Sequence, residues 1–290
     1  MDRLIQVSGP YNFNQALIRL ALDPLHVIDR ETQQIKVPIY LKGKPIVVTV
    51  TSVGTFEKPS FRIEVKEMVD EQEVIQRLNE LFHWDIPLEK IYKFYQNTEI
   101  APLFKQFRGT PFVCDFQLYG CLMKTIIHQQ LNMTFAFRLT ERFVKTFGEE
   151  KEGVWFYPSP EKVSQLTVEQ LRDLQFSGRK AEYVIDTSKL IADGDLNLEE
   201  LKKQPDEEVI RKLVKIRGIG KWTAENFLMF GLGRLDLFPA QDIGIQNAWK
   251  KFYNLEKKPT LEEMAHKSVK WKPYRTYASL YLWESIEAAD

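Results

Sequence analysis

The chain has 290 residues, 44% of them hydrophobic, and its 40 Lys and Arg balance 40 Asp and Glu. That length supports one large or two modest domains, and the zero net charge excludes a polybasic coat, so any contact with nucleic acid must be local. Only two cysteines are present, Cys114 and Cys121, too few for a disulfide framework, a zinc site or a four-thiolate iron–sulfur cluster.

The first 68 residues carry the β signals. Segments 34–41, 45–53 and 60–65 are rich in Ile, Val, Thr, Tyr and Phe and are punctuated by Gly43-Lys44-Pro45 and Lys58-Pro59, which predicts a small antiparallel sheet. Phe13, Leu17 and Leu20 recur at helical spacing ahead of it, so one helix is expected to pack on that sheet. From Asp70 onward the apolar spacing turns helical, beginning with Val74, Leu78 and Leu81-Phe82. Helices are predicted over 88–96, 116–129, 134–147, 167–174, 180–193, 206–216, 221–231, 242–252, 261–267 and 274–287, joined by segments with Gly, Pro or capping residues. The expected fold is mostly α: an N-terminal α+β domain over 1–68, with a small antiparallel sheet, and an all-helical body over 69–290. No apolar run reaches membrane-spanning length and the N-terminus has no hydrophobic signal core. A soluble, unexported protein with no membrane partner is expected.

Two motifs in the C-terminal third carry chemistry. In 207–231, Ile210, Leu213 and Val214 form one apolar helix face, Gly218 and Gly220 bracket a tight turn, and a second helix opens at Lys221. This is a helix-hairpin-helix pattern. Its glycines let backbone approach a ligand, and the N–H groups opening a helix favour an anion, so the hairpin could grip a phosphate through Arg217, Gly218, Ile219, Gly220, Lys221 and Thr223. The tripeptide Gly-Ile-Gly alone is equally compatible with a plain turn between helices. After a loop over 232–242 containing Pro239 comes Asp242, at the predicted start of the next helix. In isolation an Asp there is more often an N-cap than a catalyst.

Together, the Ile-x-Gly-Ile-Gly-x-Trp-Thr-Ala hairpin, the Pro-containing loop and Asp242 resemble the signature of the helix-hairpin-helix DNA glycosylase superfamily. Ile126-Ile127-His128-Gln129-Gln130-Leu131-Asn132 resembles the segment whose side chain wedges into the DNA stack, and Ser177-Gly178-Arg179-Lys180-Ala181-Glu182-Tyr183-Val184-Ile185 is similar to the family's Gly-x-x-Lys-Ala turn and helix, with one residue in place of two between Gly178 and Lys180. Members that also cut the backbone carry a Schiff-base lysine where this chain has Trp222, and many endonuclease III-like members bind a four-Cys cluster that this chain has no cysteines to hold. Trp222, the run Arg275-x-Tyr277-Ala278-x-x-x-x-Trp283 and the preceding Trp271-Lys272-Pro273-Tyr274 resemble the 3-methyladenine DNA glycosylase II family. That resemblance implies a monomer acting on double-stranded DNA with a damaged base, in the cytoplasm or nucleoid, without a cofactor. It also implies Gln130 as the wedge, with Leu131 beside it, and admits a monovalent ion on the hairpin carbonyls.

The chemistry is intelligible from the residues themselves. Breaking an N-glycosidic bond passes through an oxocarbenium-like sugar, which the Asp242 carboxylate could stabilise while orienting the attacking water. No second carboxyl suggests itself as a general acid, and an N3- or N7-alkylated purine, already cationic, needs none. Trp222 and Trp283 could stack on such a base. Tyr277 and Tyr281 are candidates for the same pocket, although core packing is the simpler reading for both. Two other functions remain open: a glycosylase for oxidised or deaminated purines, and a helix-hairpin-helix DNA-binding protein without catalysis.

Overall fold

A computed structural model describes residues 1–287. Five antiparallel strands, β1 (Asp2–Gln6), β2 (Val27–Asp29), β3 (Gln34–Leu41), β4 (Lys44–Ser52) and β5 (Ser60–Glu64), form one sheet in the order β1-β5-β4-β3-β2. Strand alternation sends Ile35, Val37, Ile39, Ile46, Val48, Val50, Phe61 and Ile63 to one fully buried face. The helix Phe13–Leu20 lies against that face, with Phe13 edge-on to Phe61 at 5.0 Å. Phe61 in turn stacks on Trp84 at 4.8 Å, and Tyr11 donates to the Phe82 carbonyl at 2.8 Å. The sheet and the helices therefore share one continuous apolar core.

The body after Asp70 follows the predicted helices within one or two residues at most ends, and its caps explain where several begin. Asp70 accepts from Gln72 N and Glu73 N ahead of Glu71–Phe82, and Thr167 and Thr260 each make a reciprocal capping box. Short helices Ala101–Gln106, Pro160–Ser164 and Leu198–Leu201 stand where none was expected, and three further features depart from expectation. The body is not wholly helical: Glu149–Lys151 and Val154–Phe156 pair as a hairpin, β6 and β7, that covers the outer face of the sheet. Val154 and Phe156 pack there on Val47, and Lys151 donates to the Pro45 carbonyl at 2.6 Å. Second, β1 and β2 add edges to a sheet expected to have three strands. Third, the helix expected over 221–231 is α-helical only over Lys221–Asn226 and continues as a π-helical turn, Phe227–Gly231. The widened turn leaves the Phe230 carbonyl to accept from Asp115 N at 2.8 Å.

The C-terminal helix Arg275–Glu287 fixes the loop that precedes Asp242. Arg275 grips Asp236 with Nε at 2.6 Å and a second nitrogen at 3.0 Å from the carboxylate. Thr276 Oγ1 accepts from Leu237 N and donates to the Arg234 carbonyl, and Ser279 donates to the Leu237 carbonyl. The helix carries Trp283 two turns further on.

Candidate active site

Asp242 is the N-cap of Ile243–Phe252, its Oδ1 accepting from Ile245 N at 2.9 Å. That much is an ordinary cap. Two further donors set it apart. Trp222 Nε1 donates to Oδ2 at 2.9 Å, and Trp283 Nε1 donates to Oδ1 at 3.0 Å. A carboxylate offers about four lone-pair directions; three are taken, two on Oδ1 and one on Oδ2. The remaining direction on Oδ2 is available to a water or to positive charge.

Close approach is built into the backbone beside Asp242. A Cβ on Gly244 would lie 3.0 Å from both Asp242 Oδ1 and Trp283 Nε1, tighter than ordinary contact. Gly244 thus leaves room for the indole to reach the carboxylate. Trp283 is 7% exposed, packed against Phe230 at 5.9 Å, with the Arg19 guanidinium 5.7 Å from its ring centre. Arg19 also pairs with Glu287 at 2.6 Å, and Gln15 donates to the buried Glu284 at 2.6 Å. Burial holds the Glu284 carboxyl above the usual range, with Arg19 opposing. The helix of the sheet region therefore braces the C-terminal helix at Trp283.

The hairpin lies next to the segment around Gln130. Gly218 adopts φ +89° with its α-carbon against Tyr183, whose ring would be 2.2 Å from any Cβ there. This position requires glycine on both counts. Gly220 opens the helix Lys221–Asn226, and among the described residues no side chain caps that end. Gln129 Nε2 donates both to the Gly218 carbonyl at 2.8 Å and to Thr223 Oγ1 at 2.7 Å. Gln130 is exposed and left-handed at φ +57°.

With this geometry in view, residues 123–273 match the model of the HhH-GPD superfamily of base excision DNA repair proteins. The chain is 34% identical over 223 residues to a DNA-3-methyladenine glycosylase of Bacillus subtilis, with 74% of this chain and 73% of that one covered. It is 48% identical, over 98% of both chains, to a second Bacillus subtilis protein that bears the same name provisionally. The chain belongs to the HhH-GPD superfamily. A solved structure of the 3-methyladenine DNA glycosylase from Archaeoglobus fulgidus, 25% identical, superposes with a TM-score of 0.83 over 97% of each chain.

Within this glycosylase the expected residues divide. Asp242, Trp222 and Trp283 meet at one carboxylate. Tyr277 and Tyr281 do not join them: both are buried in the core, Tyr281 packed on Phe104 at 4.3 Å with its hydroxyl donating to the Thr110 carbonyl at 3.2 Å. Burial pushes both phenols well above their usual range. On the hairpin, the Ile219 side chain is in the core, and the Thr223 hydroxyl is buried and taken by Gln129. Arg217 pairs with Glu182 and Asp186 over the Tyr183 ring, and Lys221 pairs with Glu225 at 3.5 Å. Few side-chain cations are left free there, so an anion would meet backbone N–H groups first. The Ile216 carbonyl accepts from Ile219 N and that of Gly218 from Gln129, so two hairpin carbonyls are engaged within the protein. Leu131 is half-buried against the core, whereas Gln130 is open.

Sequence reading overlooked Gln129 as a tie, Gly244 as a clearance and Phe230 as the ring beside Trp283. Phe230 lies eight residues after Trp222 on the same helical run, a spacing that could have flagged it. A cavity of about 440 Å³ is lined by Lys221, Glu225, Asp236 and Gln241 among others. Asp242 and the two tryptophans are not part of its lining.

Proposed function

We propose that this glycosylase is monofunctional and hydrolyses the N-glycosidic bond of 3-methyladenine and 7-methylguanine in double-stranded DNA, acting as a monomer. The observation that carries the reading is the Asp242 carboxylate, held by Trp222 and Trp283 with one direction on Oδ2 left open. In that reaction the bond between C1′ and the base nitrogen breaks, and its electron pair leaves with the base. An N3- or N7-alkylated purine departs neutral because it began as a cation, so no proton donor is needed. Asp242 stabilises the positive charge developing on the sugar and orients the water whose oxygen bonds to C1′; the water proton passes to the carboxylate or to solvent.

Recognition follows from the same aromatic residues, with their roles divided. Trp283 is too enclosed to offer much ring surface, and acts through the carboxylate. Trp222 and Phe230 are partly exposed, and they are the faces that would take the extruded cationic base, with cation–π attraction of roughly 0.5–2 kcal/mol each. Gln130, standing out from its turn, would fill the space the base vacates and offset part of the unstacking cost of a few kcal/mol. Trp222 occupies the position a Schiff-base lysine would need, and Lys221, one residue away, is turned to Glu225. Both facts support hydrolysis without strand cleavage.

Incubation with duplexes containing 7-methylguanine, 3-methyladenine, hypoxanthine or 8-oxoguanine tests this, scoring free base and strand breaks separately. Release of the methylated purines with intact backbone is expected. Release of 8-oxoguanine with strand cleavage would replace this reading with that of an oxidised-purine lyase.

A further inference from the structure

The helix Gly178–Ala192 reaches both loops assigned to DNA. Lys180 Nζ donates to the Ile127 carbonyl at 2.5 Å and to the Gln129 carbonyl at 2.9 Å, closing the C-terminal end of Leu118–His128 and fixing the peptide that leads into Gln130. Three residues on, Tyr183 lies against Gly218 in the hairpin, and Glu182 pairs with Arg217. Gln129 completes the circuit by donating to Gly218 O and Thr223 Oγ1.

Between these ties stands Gln130 at φ +57°. A left-handed backbone is unfavourable for a residue with a Cβ, and it persists only where its surroundings impose it. Here one ammonium takes two carbonyls on the approach to the bend, those of Ile127 and Gln129, and the Gln129 amide anchors that approach to the hairpin. Lys180 is half-buried, and burial lowers it to about 8, a penalty that a cation serving only solubility would avoid by staying in water.

We propose that Lys180 and Gln129 are positioning residues that couple the two DNA-facing loops, locking the 129–131 turn to the hairpin so that Gln130 stands preset before DNA arrives. The hairpin's hold on the strand then fixes where the wedge enters. This rests on the assignment of Gln130 as the wedge. A merely structural tie would lower stability and every activity alike. Coupling would act on the step in which the base leaves the stack.

The test compares a paired 7-methylguanine with the same lesion in a one-nucleotide bulge, where little stacking has to be broken. A 2-aminopurine neighbour reports unstacking by fluorescence even if no base is released. Lys180→Met and Gln129→Ala should each slow excision from the paired duplex by roughly tenfold or more and suppress the fluorescence rise, as expected when part of a flipping cost of a few kcal/mol is no longer offset. The bulged lesion should change by no more than about threefold, undamaged-duplex affinity should hold, and Lys180→Arg, which can also donate twice, should recover most of the loss. Equal loss on paired and bulged lesions, or loss on neither, overturns the proposal. If Lys180→Met does not fold, Gln129→Ala carries the test. Gln130→Ala separates the two ideas: no change in the paired-to-bulged ratio removes the wedge and the coupling with it. A changed ratio for Gln130→Ala but not for Lys180→Met or Gln129→Ala removes the coupling alone.

Discussion

The rim around Asp242 and the aromatic layer beneath it are built from the same residue types and are held by different forces. At the rim, Trp222 and Trp283 each give one N–H bond to the same carboxylate, Trp222 half-exposed and Trp283 also packed on Phe230. Below, Tyr277, Tyr281, Phe104 and Phe112 are fixed by contact area, every one of them buried. A directional tie at a half-exposed ring such as Trp222 can be cut with little loss of packing, whereas removing a packed ring leaves a cavity. Chemistry and stability should therefore separate between the two layers.

The largest effect expected from this contrast is on stability. Tyr277→Ala should destabilise the fold by about 3–5 kcal/mol, as for other large-to-small core changes, seen by urea or thermal unfolding. A loss below about 1 kcal/mol would mean that Tyr277 is not part of the packed layer. Next come Trp222→Phe and Trp283→Phe, which keep an aromatic ring and delete the N–H. A hydrogen bond to a charged group is worth about 1.5–3 kcal/mol, so single-turnover excision should slow by roughly tenfold or more with each variant still folded at the assay temperature, the buried Trp283→Phe losing more melting temperature than the half-exposed Trp222→Phe. If both variants excise at the normal rate, the indoles do not hold the carboxylate in the working enzyme.

The spacing of residues explains which of these assignments could be read in advance. Tyr277 and Tyr281 are four apart and share one face of the C-terminal helix; Trp283 falls about 160° around from Tyr281 at 100° per residue. That periodicity could have divided the Arg275-x-Tyr277 to Trp283 run into a buried face and a site-facing residue. The hairpin turn and the cap position of Asp242 were legible because they depend on local order: glycine at a tight turn, then a loop, then a cap. The ties of Gln129 to the hairpin and of Arg275 to Asp236 join residues 94 and 39 apart, and no local pattern announces them. The three central strands showed in their Ile and Val alternation. Strand β1, with most of its residues exposed, and β6, Glu149-Glu150-Lys151, carry charges at edges whose pairing partners are set by tertiary contact.

The smallest expected effect concerns acid. His83 is buried and His128 half-buried, and desolvation lowers them to about 4 and about 3, with Lys124 adding to the effect on His128. Folded and unfolded states bind the same protons at these sites above about pH 6.5. As pH falls below that value the unfolded chain takes up protons first, so stability declines down to about pH 4 for His83 and about pH 3 for His128. From pH 6.5 to 5.5 each should remove on the order of 1 kcal/mol. His83→Asn, which tolerates the left-handed backbone at φ +52°, should flatten that slope when melting temperatures at pH 7 and 5.5 are compared. An unchanged slope would place the acid sensitivity elsewhere, and the rim chemistry should be indifferent to the substitution.

The most direct measurement is on Asp242→Asn. Asn is an N-cap comparable to Asp, so the helix Ile243–Phe252 should keep its start and the protein should stay folded, the loss being the Trp222 N–H bond that an amide nitrogen cannot accept. Removing the charge takes away stabilisation of the developing sugar cation and the anchor for water, which should cost on the order of 10² or more in rate. Single-turnover release of 7-methylguanine is measured beside affinity for the same duplex and thermal unfolding. The account predicts excision lost, affinity kept or increased, and folding intact. Near-normal excision by a folded Asp242→Asn protein would contradict it and leave Asp242 a cap alone.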